Sequence, residues 1–182
     1  MNRRVEAKQV RAQETRRAIS GAYRTLAEQS RYDEISIAQI ALAAGVGKGT
    51  VLAHFSEKLA IAATIFAKEL ERIAKRLKQE GTSDISTICA QLASILEWAA
   101  KDDVYARLSV GDGAQICREV IAPSEDRLVE QLTACFGASN AALADDRAQA
   151  VRANLVYAIV VLRVCADIEE AKSVFFRLCA RV

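Results

Sequence analysis

Hydrophobic residues recur every three or four positions along most of this chain, which is the period of an amphipathic α-helix. Good helix formers are plentiful, while the residues that punctuate strands and turns are scarce, with one Pro and eight Gly. The pattern predicts an all-α protein of about nine helices, or ten if the segments on either side of Pro123 are counted separately. The predicted helical segments cover about residues 9–29, 36–44, 48–55, 56–81, 84–100, 104–110, 114–121, 123–137, 142–166 and 168–181.

Two of the predicted helices are short and stand between longer ones. The first, residues 36–44, opens with Ser36, whose hydroxyl can accept from the Gln39 backbone N–H while the Gln39 side chain reaches back, as in a capping box. Gly45 follows where a helix end needs a left-handed residue. The second short helix covers residues 48–55. This arrangement has the outline of a helix-turn-helix, whose second helix enters the major groove of DNA.

The last two predicted helices are strongly apolar. Between Leu155 and Ala166 the only polar side chains are Arg163 and the hydroxyl-bearing Tyr157, so this helix must be buried on most sides. The pattern favours self-association through a four-helix bundle across a two-fold axis, and the alternative is a central core helix with a docked tail. The predicted dimer face comprises Leu155, Ile159, Leu162, Val174, Phe175 and Leu178.

Basic residues are concentrated at the N-terminal end of the chain. Residues 1–60 contain ten Lys or Arg and six Asp or Glu, whereas residues 61–182 contain fifteen and seventeen. This asymmetry suits a polyanionic partner such as nucleic acid, and the alternative is a solvated basic arm. The basic residues of the first 24 positions are Arg3, Arg4, Lys8, Arg11, Arg16, Arg17 and Arg24.

The rest of the composition argues against several other classes of protein. The N-terminus lacks the apolar region of a secretion signal, and the longest uninterrupted apolar run, residues 155–162, is far shorter than the roughly 20 residues of a membrane span. We therefore expect a cytoplasmic protein with no membrane partner. Five scattered Cys without a C-x-x-C pair, and a single His, His54, argue against a disulfide framework and a metal site, and no cofactor is expected. Small buried thiols are expected, with a thiol sensor as the alternative.

Three stretches around the two short helices resemble one known family. They read YDEISIAQIA (residues 32–41), AGVGKGT (44–50) and HFSEK (54–58), in a fixed order and spacing. This resembles the DNA-binding domain of the TetR family of transcriptional regulators, whose pattern includes AGVS-x-GTLY-x-HF-x-x-K. The resemblance extends over about residues 15–60, a quarter of the chain. It implies a DNA-binding domain in residues 1–58, with the helix-turn-helix at about 36–55.

The same resemblance implies roles for individual residues. Ser36 would bond a DNA phosphate as well as cap its helix, and Lys58 would pair with a phosphate. His54 would approach the DNA backbone, the alternative being a half-buried residue at a helix end. The expected DNA-binding residues are Ser36, Gly47, Lys48, Gly49, Thr50, Ala53, His54 and Lys58.

Three departures from the family pattern weaken the expected readout of DNA sequence. The usual Ser of the turn is Gly47, the usual Tyr of the recognition helix is Leu52, and Ala53 is also small. Direct base contacts should therefore be few, with Lys48 and Thr50 as the best candidates. The basic N-terminal arm could compensate through the DNA backbone or the minor groove.

In the TetR family, the helices after the DNA-binding domain enclose a small-molecule pocket. The resemblance therefore implies an effector-binding and dimerisation domain in residues 59–182. Because the region is apolar, an apolar or amphipathic effector is expected. The candidate lining residues are aromatic, and the alternative for each is an ordinary core position; they are Phe66, Trp98, Tyr105, Phe136 and Tyr157.

Together with these features, the resemblance to the TetR family implies a ligand-responsive regulator, a repressor that binds a pseudo-palindromic operator as a dimer and is released by its effector. An enzyme is not expected, because the chain offers no nucleophile with a base, no metal cluster and no phosphate loop. The GVGKGT of residues 45–50 lacks the spacing and the preceding strand of such a loop. A helical protein-interaction module that has lost specific DNA binding is the alternative, suggested by Gly47 and Leu52.

Overall fold

The computed structural model describes residues 3–110, 115–138 and 141–182, apart from the side chains of Arg3 and Arg4. Within these ranges the chain is all-α, as predicted. The turn predicted at 111–113 and the helix start predicted at Ala114 lie outside the described residues. The helices are α1 (Arg3–Gln29), α2 (Ile37–Ala43), α3 (Lys48–His54), α4 (Lys58–Glu80), α5 (Ile85–Lys101), α6 (Asp103–Ser109), α7 (Gln115–Gly137), α8 (Ala144–Cys165) and α9 (Ile168–Cys179), with short 3-10 turns at Tyr32–Glu34 and Ala141–Leu143.

The chain divides into two compact units, Met1–Ile65 and Phe66–Val182. The boundary between them lies well inside α4, whereas the predicted boundary follows residue 58, at the start of that helix. The apolar stripe of α4 continues without interruption, so the sequence pattern does not mark the point where one unit ends and the other begins.

The first unit packs α1, α2 and α3 against one another. Ile19 and Tyr23 of α1, Ile40 of α2 and Val51 of α3 have no exposed surface. Helices α2 and α3 have seven residues each, too few to be stable alone in water. Burial of large apolar side chains, each worth about 1.5–3 kcal/mol, therefore holds these two helices in place.

Helix α1 begins at Arg3, earlier than the predicted start at about residue 9. Residues 5–10 are all exposed, so no apolar stripe marks this first part of the helix. The segment contains good helix formers and neither Gly nor Pro, which lets the helix extend beyond the part that packs. Periodicity thus located the buried part of α1 rather than its beginning.

Helix α8 is at the centre of the second unit, where it contacts α5, α6, α7 and α9. By length and composition the segment Ala141–Cys165 is apolar enough to cross a membrane. Packing against the neighbouring helices accounts for the buried side of this segment, which includes Val151, Leu155, Ala158, Ile159 and Leu162.

Helix α7 continues through Pro123, whereas the sequence analysis predicted two helices that meet there. Proline inside a helix removes a backbone donor and costs about 3 kcal/mol or more. Pro123 is exposed, and the opposite face of α7 forms one continuous buried stripe that outweighs this cost. The stripe consists of Cys117, Ile121, Ser124, Leu128, Leu132 and Cys135.

The break between α4 and α5 lies between Gly81 and Asp84, where the sequence pattern also predicts the end of one helix and the start of the next. Gly81 has a φ of 58°, the left-handed conformation expected at a helix end. Asp84 caps α5 and accepts hydrogen bonds from the Ser86 hydroxyl at 2.5 Å and from the Thr87 backbone N–H at 2.9 Å. These bonds, with one from the Thr87 hydroxyl, favour the ionised carboxylate and lower the pKa of Asp84 to about 2.

The structure corrects the predicted dimer face. Five of its six residues are at least 93% buried inside their own protomer, and Leu178 is partly buried. A side chain covered by its own chain has little surface left to bury against a partner, so these residues belong to the core of the bundle. The large apolar side chains that α8 and α9 leave exposed are different ones: Tyr157, Val160, Val164 and Phe176.

Candidate nucleic-acid interface

The N-terminus of α2 has the capping box that the sequence predicts. The Ser36 Oγ accepts from the Gln39 backbone N–H at 3.2 Å, and the Gln39 Oε1 accepts from the Ser36 backbone N–H at 2.8 Å. The Ser36 hydroxyl also donates to the Gln39 Oε1 at 2.8 Å. A hydroxyl has one proton to donate, so the expected bond to a DNA phosphate would have to replace this last interaction.

The turn between α2 and α3 is built on Gly45, which has a φ of 66°. The Gly45 N–H donates to the Leu42 carbonyl at 3.2 Å, and the Val46 N–H donates to the Ala41 carbonyl at 3.0 Å. This pair of bonds is a Schellman motif, which satisfies the last carbonyls of α2 and requires a left-handed residue. The predicted role of Gly45 is confirmed, and the motif sets the direction in which the chain enters α3.

Helix α3 presents two distinct faces. Val51 within the helix and Phe55 just after it are buried. Thr50 and His54 are half-buried and lie at the edges of the packed side. The opposite face is exposed and comprises Lys48, Gly49, Leu52 and Ala53.

Three of the expected DNA-binding residues, Lys48, Gly49 and Ala53, therefore share this outward face. Gly47 precedes it as the N-cap of α3, with an extended backbone (φ −76°, ψ 153°) and no side chain to bond the helix N–H groups. The outward face of α3, defined by residues 48, 49, 52 and 53, is the surface available to a groove-binding partner.

Arg16 joins α1 to the end of α3, a role that the sequence analysis missed. Its Nη1 donates to the His54 backbone carbonyl at 2.6 Å, and its guanidinium carbon lies 4.3 Å from the centroid of the Phe55 ring. The last carbonyls of a helix lack partners and carry partial negative charge, so a cation there is favourable. A signal was available: Arg16 precedes the buried Ile19 and Tyr23 by three and seven positions, on the same face of α1.

Lys58 holds the 3-10 turn that leads into α2. Its Nζ donates to the backbone carbonyls of Tyr32 and Ile35 at 2.6 and 2.8 Å, and lies 4.0 Å from the centroid of the Tyr32 ring. The family resemblance implies only a phosphate contact for this lysine, because spacing along the chain does not reveal a contact across 23–26 residues. The internal role is a finding, and the phosphate contact stays a prediction.

Residues 18–65 match the sequence profile of the family described as bacterial regulatory proteins, tetR family. The match ends at the residue where the first compact unit ends. The first unit carries a TetR-family DNA-binding domain.

The fold of the chain is similar to that of the transcriptional regulator FadR from Bacillus subtilis, whose crystal structure contains stearoyl-CoA. The TM-score is 0.56 at 15% sequence identity, over 93% of this chain and 98% of that one. At this identity the likeness concerns the fold alone. A comparison with curated protein sequences found no match.

The TetR-family domain has further basic side chains along α1. The side chains of Arg3 and Arg4 lie outside the described part of the structure. Those of Lys8, Arg11, Arg17 and Arg24 are exposed and therefore available to an anionic partner.

A cavity of about 50 Å³ lies in the second unit, which follows the TetR-family domain along the chain. Its lining is mostly aliphatic, from α4, α5, α7 and α8, with Ser109, Glu125 and Arg152 as the polar members. Two residues expected at the dimer face, Leu155 and Ile159, line it instead. Ligand pockets usually measure about 300–1,000 Å³, so a ligand of ordinary size would have to displace part of this lining.

Of the five aromatic residues expected in the pocket, Phe66 lines the cavity. Tyr105 packs edge-on against Trp98, with ring centroids 4.9 Å apart, and Phe136 is fully buried. Tyr157 is 54% exposed on the outer side of α8. These four residues do not line this cavity, and their place in an effector pocket stays a prediction. Helical periodicity places a residue on a buried or exposed face but does not say which buried residues surround a gap.

Glu125 lies between this cavity and a wider recess of about 280 Å³, and Arg152 lines both spaces as well. Burial raises the pKa of Glu125, and the nearby positive charges of Arg152 and Arg118 only partly oppose this. The recess also has Asp126, Glu130 and Gln149 along it. An apolar interior thus adjoins a polar and ionisable exterior.

Proposed function

We propose that this protein is a transcriptional regulator of the TetR family that binds a pseudo-palindromic operator as a dimer and is released from it by an apolar or amphipathic small molecule. The observation that carries the proposal is the outward face of α3. It stands on a helix that is held by the Gly45 turn at its start and by Arg16 at its end. A short helix held at both ends with one face free is what insertion into the major groove requires.

The charges of the first unit support the DNA-binding part of the proposal. Lys48 is exposed at the first position of α3, where it can reach a guanine edge or a phosphate. Thr50 and His54 at the edges of the face, and Ser36 at the start of α2, contribute phosphate contacts that set the register of the protein on DNA. The exposed basic residues of α1 add attraction that does not depend on DNA sequence.

Exposed apolar residues on α8 support the dimeric part of the proposal. Tyr157, Val160 and Val164 follow one another at spacings of three and four, which is the pattern of a seam between two helices. Phe176 on α9 adds a further exposed ring. We propose that this seam, defined by residues 157, 160, 164 and 176, meets its two-fold equivalent in a second copy.

The cavity and its polar border support an amphipathic effector. An apolar part would occupy the aliphatic interior, and a polar part would face Glu125 and Arg152. FadR, which has a similar fold, was solved in complex with stearoyl-CoA, and this supports a ligand with a long apolar part. We propose repression as the result of DNA binding because most regulators of the TetR family act as repressors.

The proposal is tested by incubating the purified protein with random genomic DNA fragments at about physiological salt and sequencing the fragments that stay bound. Recovery of a pseudo-palindromic site is expected, with affinity lost in a Lys48→Ala variant and kept in Lys68→Ala, which alters an exposed lysine of the second unit. Retention that depends on salt but not on sequence would instead favour the helical interaction module.

The dimer and the effector have tests of their own. Val164→Asp should convert the protein to monomers in analytical ultracentrifugation and weaken binding to a two-half-site operator, whereas Val10→Asp, at an exposed valine of α1, should stay dimeric. A stable Val164→Asp dimer would contradict the proposed seam.

Leu132→Trp should fill the cavity and abolish thermal stabilisation by amphipathic ligands without loss of DNA binding. Unchanged ligand binding would place the effector elsewhere.

A further inference from the structure

We infer that Leu52 reads the C5-methyl group of a pyrimidine in the major groove, so that a methyl contact next to the base approached by Lys48 specifies each half-site. This inference rests on the proposed function, since it requires α3 to enter the groove. It goes further by naming the chemical group that is recognised and the side chain that recognises it.

The position of Leu52 on its helix is the first observation. Leu52 is 49% exposed, while the adjacent Val51 is completely buried. It follows Lys48 by four positions, so the two side chains are neighbours on the outward face of α3. A side chain that points away from the core at this place can only contact solvent or a partner that approaches the recognition helix.

The chemistry of the face is the second observation. Lys48 is its one hydrogen-bonding side chain, and Gly49, Leu52 and Ala53 offer neither donor nor acceptor. The major-groove edge of a base pair has one apolar feature, the C5-methyl group of thymine, which 5-methylcytosine also carries. A polar base edge placed against Leu52 would lose its water without gaining a hydrogen bond, so Leu52 both favours a methyl group and disfavours the alternatives.

The small residues beside Leu52 permit the close approach that such a contact needs. Gly49 and Ala53 project little beyond the backbone, and a Cβ added at Gly49 would meet no atom within 4 Å. The helix can therefore sit deep enough for the Leu52 methyl groups to reach the base edge. With a tyrosine at this position, as in the family pattern, a hydroxyl would reach for polar partners instead.

The test uses the operator obtained by fragment selection and replaces each thymine in turn with deoxyuridine. This change preserves base pairing and removes only the methyl group. For the unaltered protein we expect affinity to fall about fourfold for each contacted methyl, the value corresponding to one buried methyl-sized group, at one or two positions per half-site. A parallel set of operators carries 5-methylcytosine in place of each cytosine and distinguishes the two sources of the methyl group. If the contacted base is thymine, only the changes from thymine to deoxyuridine alter the affinity.

Leu52→Ser should bind the thymine and deoxyuridine operators equally, whereas Leu52→Met should keep the discrimination. Leu42→Ser is the matched control, because Leu42 is 84% exposed in the same unit but belongs to α2, and this variant should discriminate like the unaltered protein. The inference is overturned if no methyl position affects the unaltered protein, or if Leu52→Ser still distinguishes the two operators. Failure of the proposed function would look different, since no specific operator would be recovered at all. Capture of a protein partner that depends on Leu52 would then assign the outward face of α3 to protein binding.

Discussion

The Arg16 guanidinium donates a hydrogen bond to the His54 backbone carbonyl at 2.6 Å and so connects α1 to the last turn of α3. It also covers the ring of Phe55. The orientation of the outward face of α3 thus depends on a residue 38 positions earlier in the sequence.

Arg16→Ala should lower the free energy of unfolding by about 1 kcal/mol, less than the roughly 1.5–3 kcal/mol of a charged hydrogen bond, because the arginine is exposed. Urea denaturation measures this change. DNA affinity should also fall, with an unchanged slope of log K against log salt, since no phosphate contact is lost.

Arg17→Ala is the control for this prediction, because Arg17 is an exposed arginine on the same helix. It should leave stability nearly unchanged. A normal stability for Arg16→Ala together with a reduced salt slope would show that Arg16 contacts DNA rather than the end of α3.

Lys58→Met should destabilise the first unit by about 1–2 kcal/mol, because it removes the side-chain hydrogen bonds from Lys58 to the Tyr32 and Ile35 carbonyls. The salt slope of DNA binding separates this internal role from a phosphate contact. Lys48→Met should reduce the slope by about 1. Lys58→Met should also reduce it if the predicted phosphate contact forms, whereas an unchanged slope would mean that Lys58 acts only through the Tyr32 and Ile35 carbonyls.

Gly47→Ser should stabilise the protein by about 0.5–1 kcal/mol and tighten DNA binding. The backbone at this N-cap already has a conformation that serine adopts, and a Cβ there would lie 3.8 Å from the Thr50 Oγ1, an ordinary contact. The new hydroxyl can accept from the Thr50 N–H, and the loss of glycine reduces the freedom of the unfolded chain.

Gly47→Ala separates these two contributions, since alanine restricts the unfolded chain but cannot cap the helix. Thermal unfolding and operator affinity of the two variants should therefore diverge, with only serine tightening DNA binding. Equal effects of both variants would mean that capping contributes nothing.

Glu125→Gln should stabilise the protein at neutral pH. Burial raises the pKa of Glu125 in the folded state above its ordinary value of 4.5, so the ionised carboxylate opposes folding once the pH exceeds the folded-state pKa. Below pH 4.5 the carboxyl is protonated whether the chain is folded or unfolded, and the difference between variant and original should disappear.

Urea denaturation at pH 7.5 and pH 4 measures this dependence. Glu130→Gln, at an exposed carboxylate bordering the same recess, should show a much smaller effect. A loss of stability in Glu125→Gln at pH 7.5 would mean that attraction to Arg152 outweighs burial.

The features that the sequence predicts correctly are local. The capping box of Ser36 and Gln39 and the left-handed Gly45 each depend on backbone groups at most five residues away. Their chemistry is therefore complete within a short stretch of chain, and the family motif that contains them is read directly from the sequence. The exposed face of α3 follows from the same short-range geometry once Val51 is assigned to the core.

The features that the sequence analysis missed join distant parts of the chain. Arg16 looked like one more basic residue of an N-terminal arm, and Lys58 like a phosphate ligand, until the fold brought them to the His54 and Tyr32 carbonyls. Pro123 looked like a helix start because local propensity ends a helix there. The buried face on either side of it outweighs that propensity, and burial is a property of the packed bundle.

The sequence by itself determined that this protein is all-α and that it carries a TetR-like helix-turn-helix, because helical periodicity, capping and the family motif act over a few residues. Only the tertiary structure decided which buried residues line the cavity and which apolar residues stay outside. Leu155 and Tyr157 are both apolar positions of α8, yet one lines the cavity and the other is 54% exposed. Two residues apart on a helix, they point in different directions, and only the placement of the neighbouring helices determines which direction leads to the core.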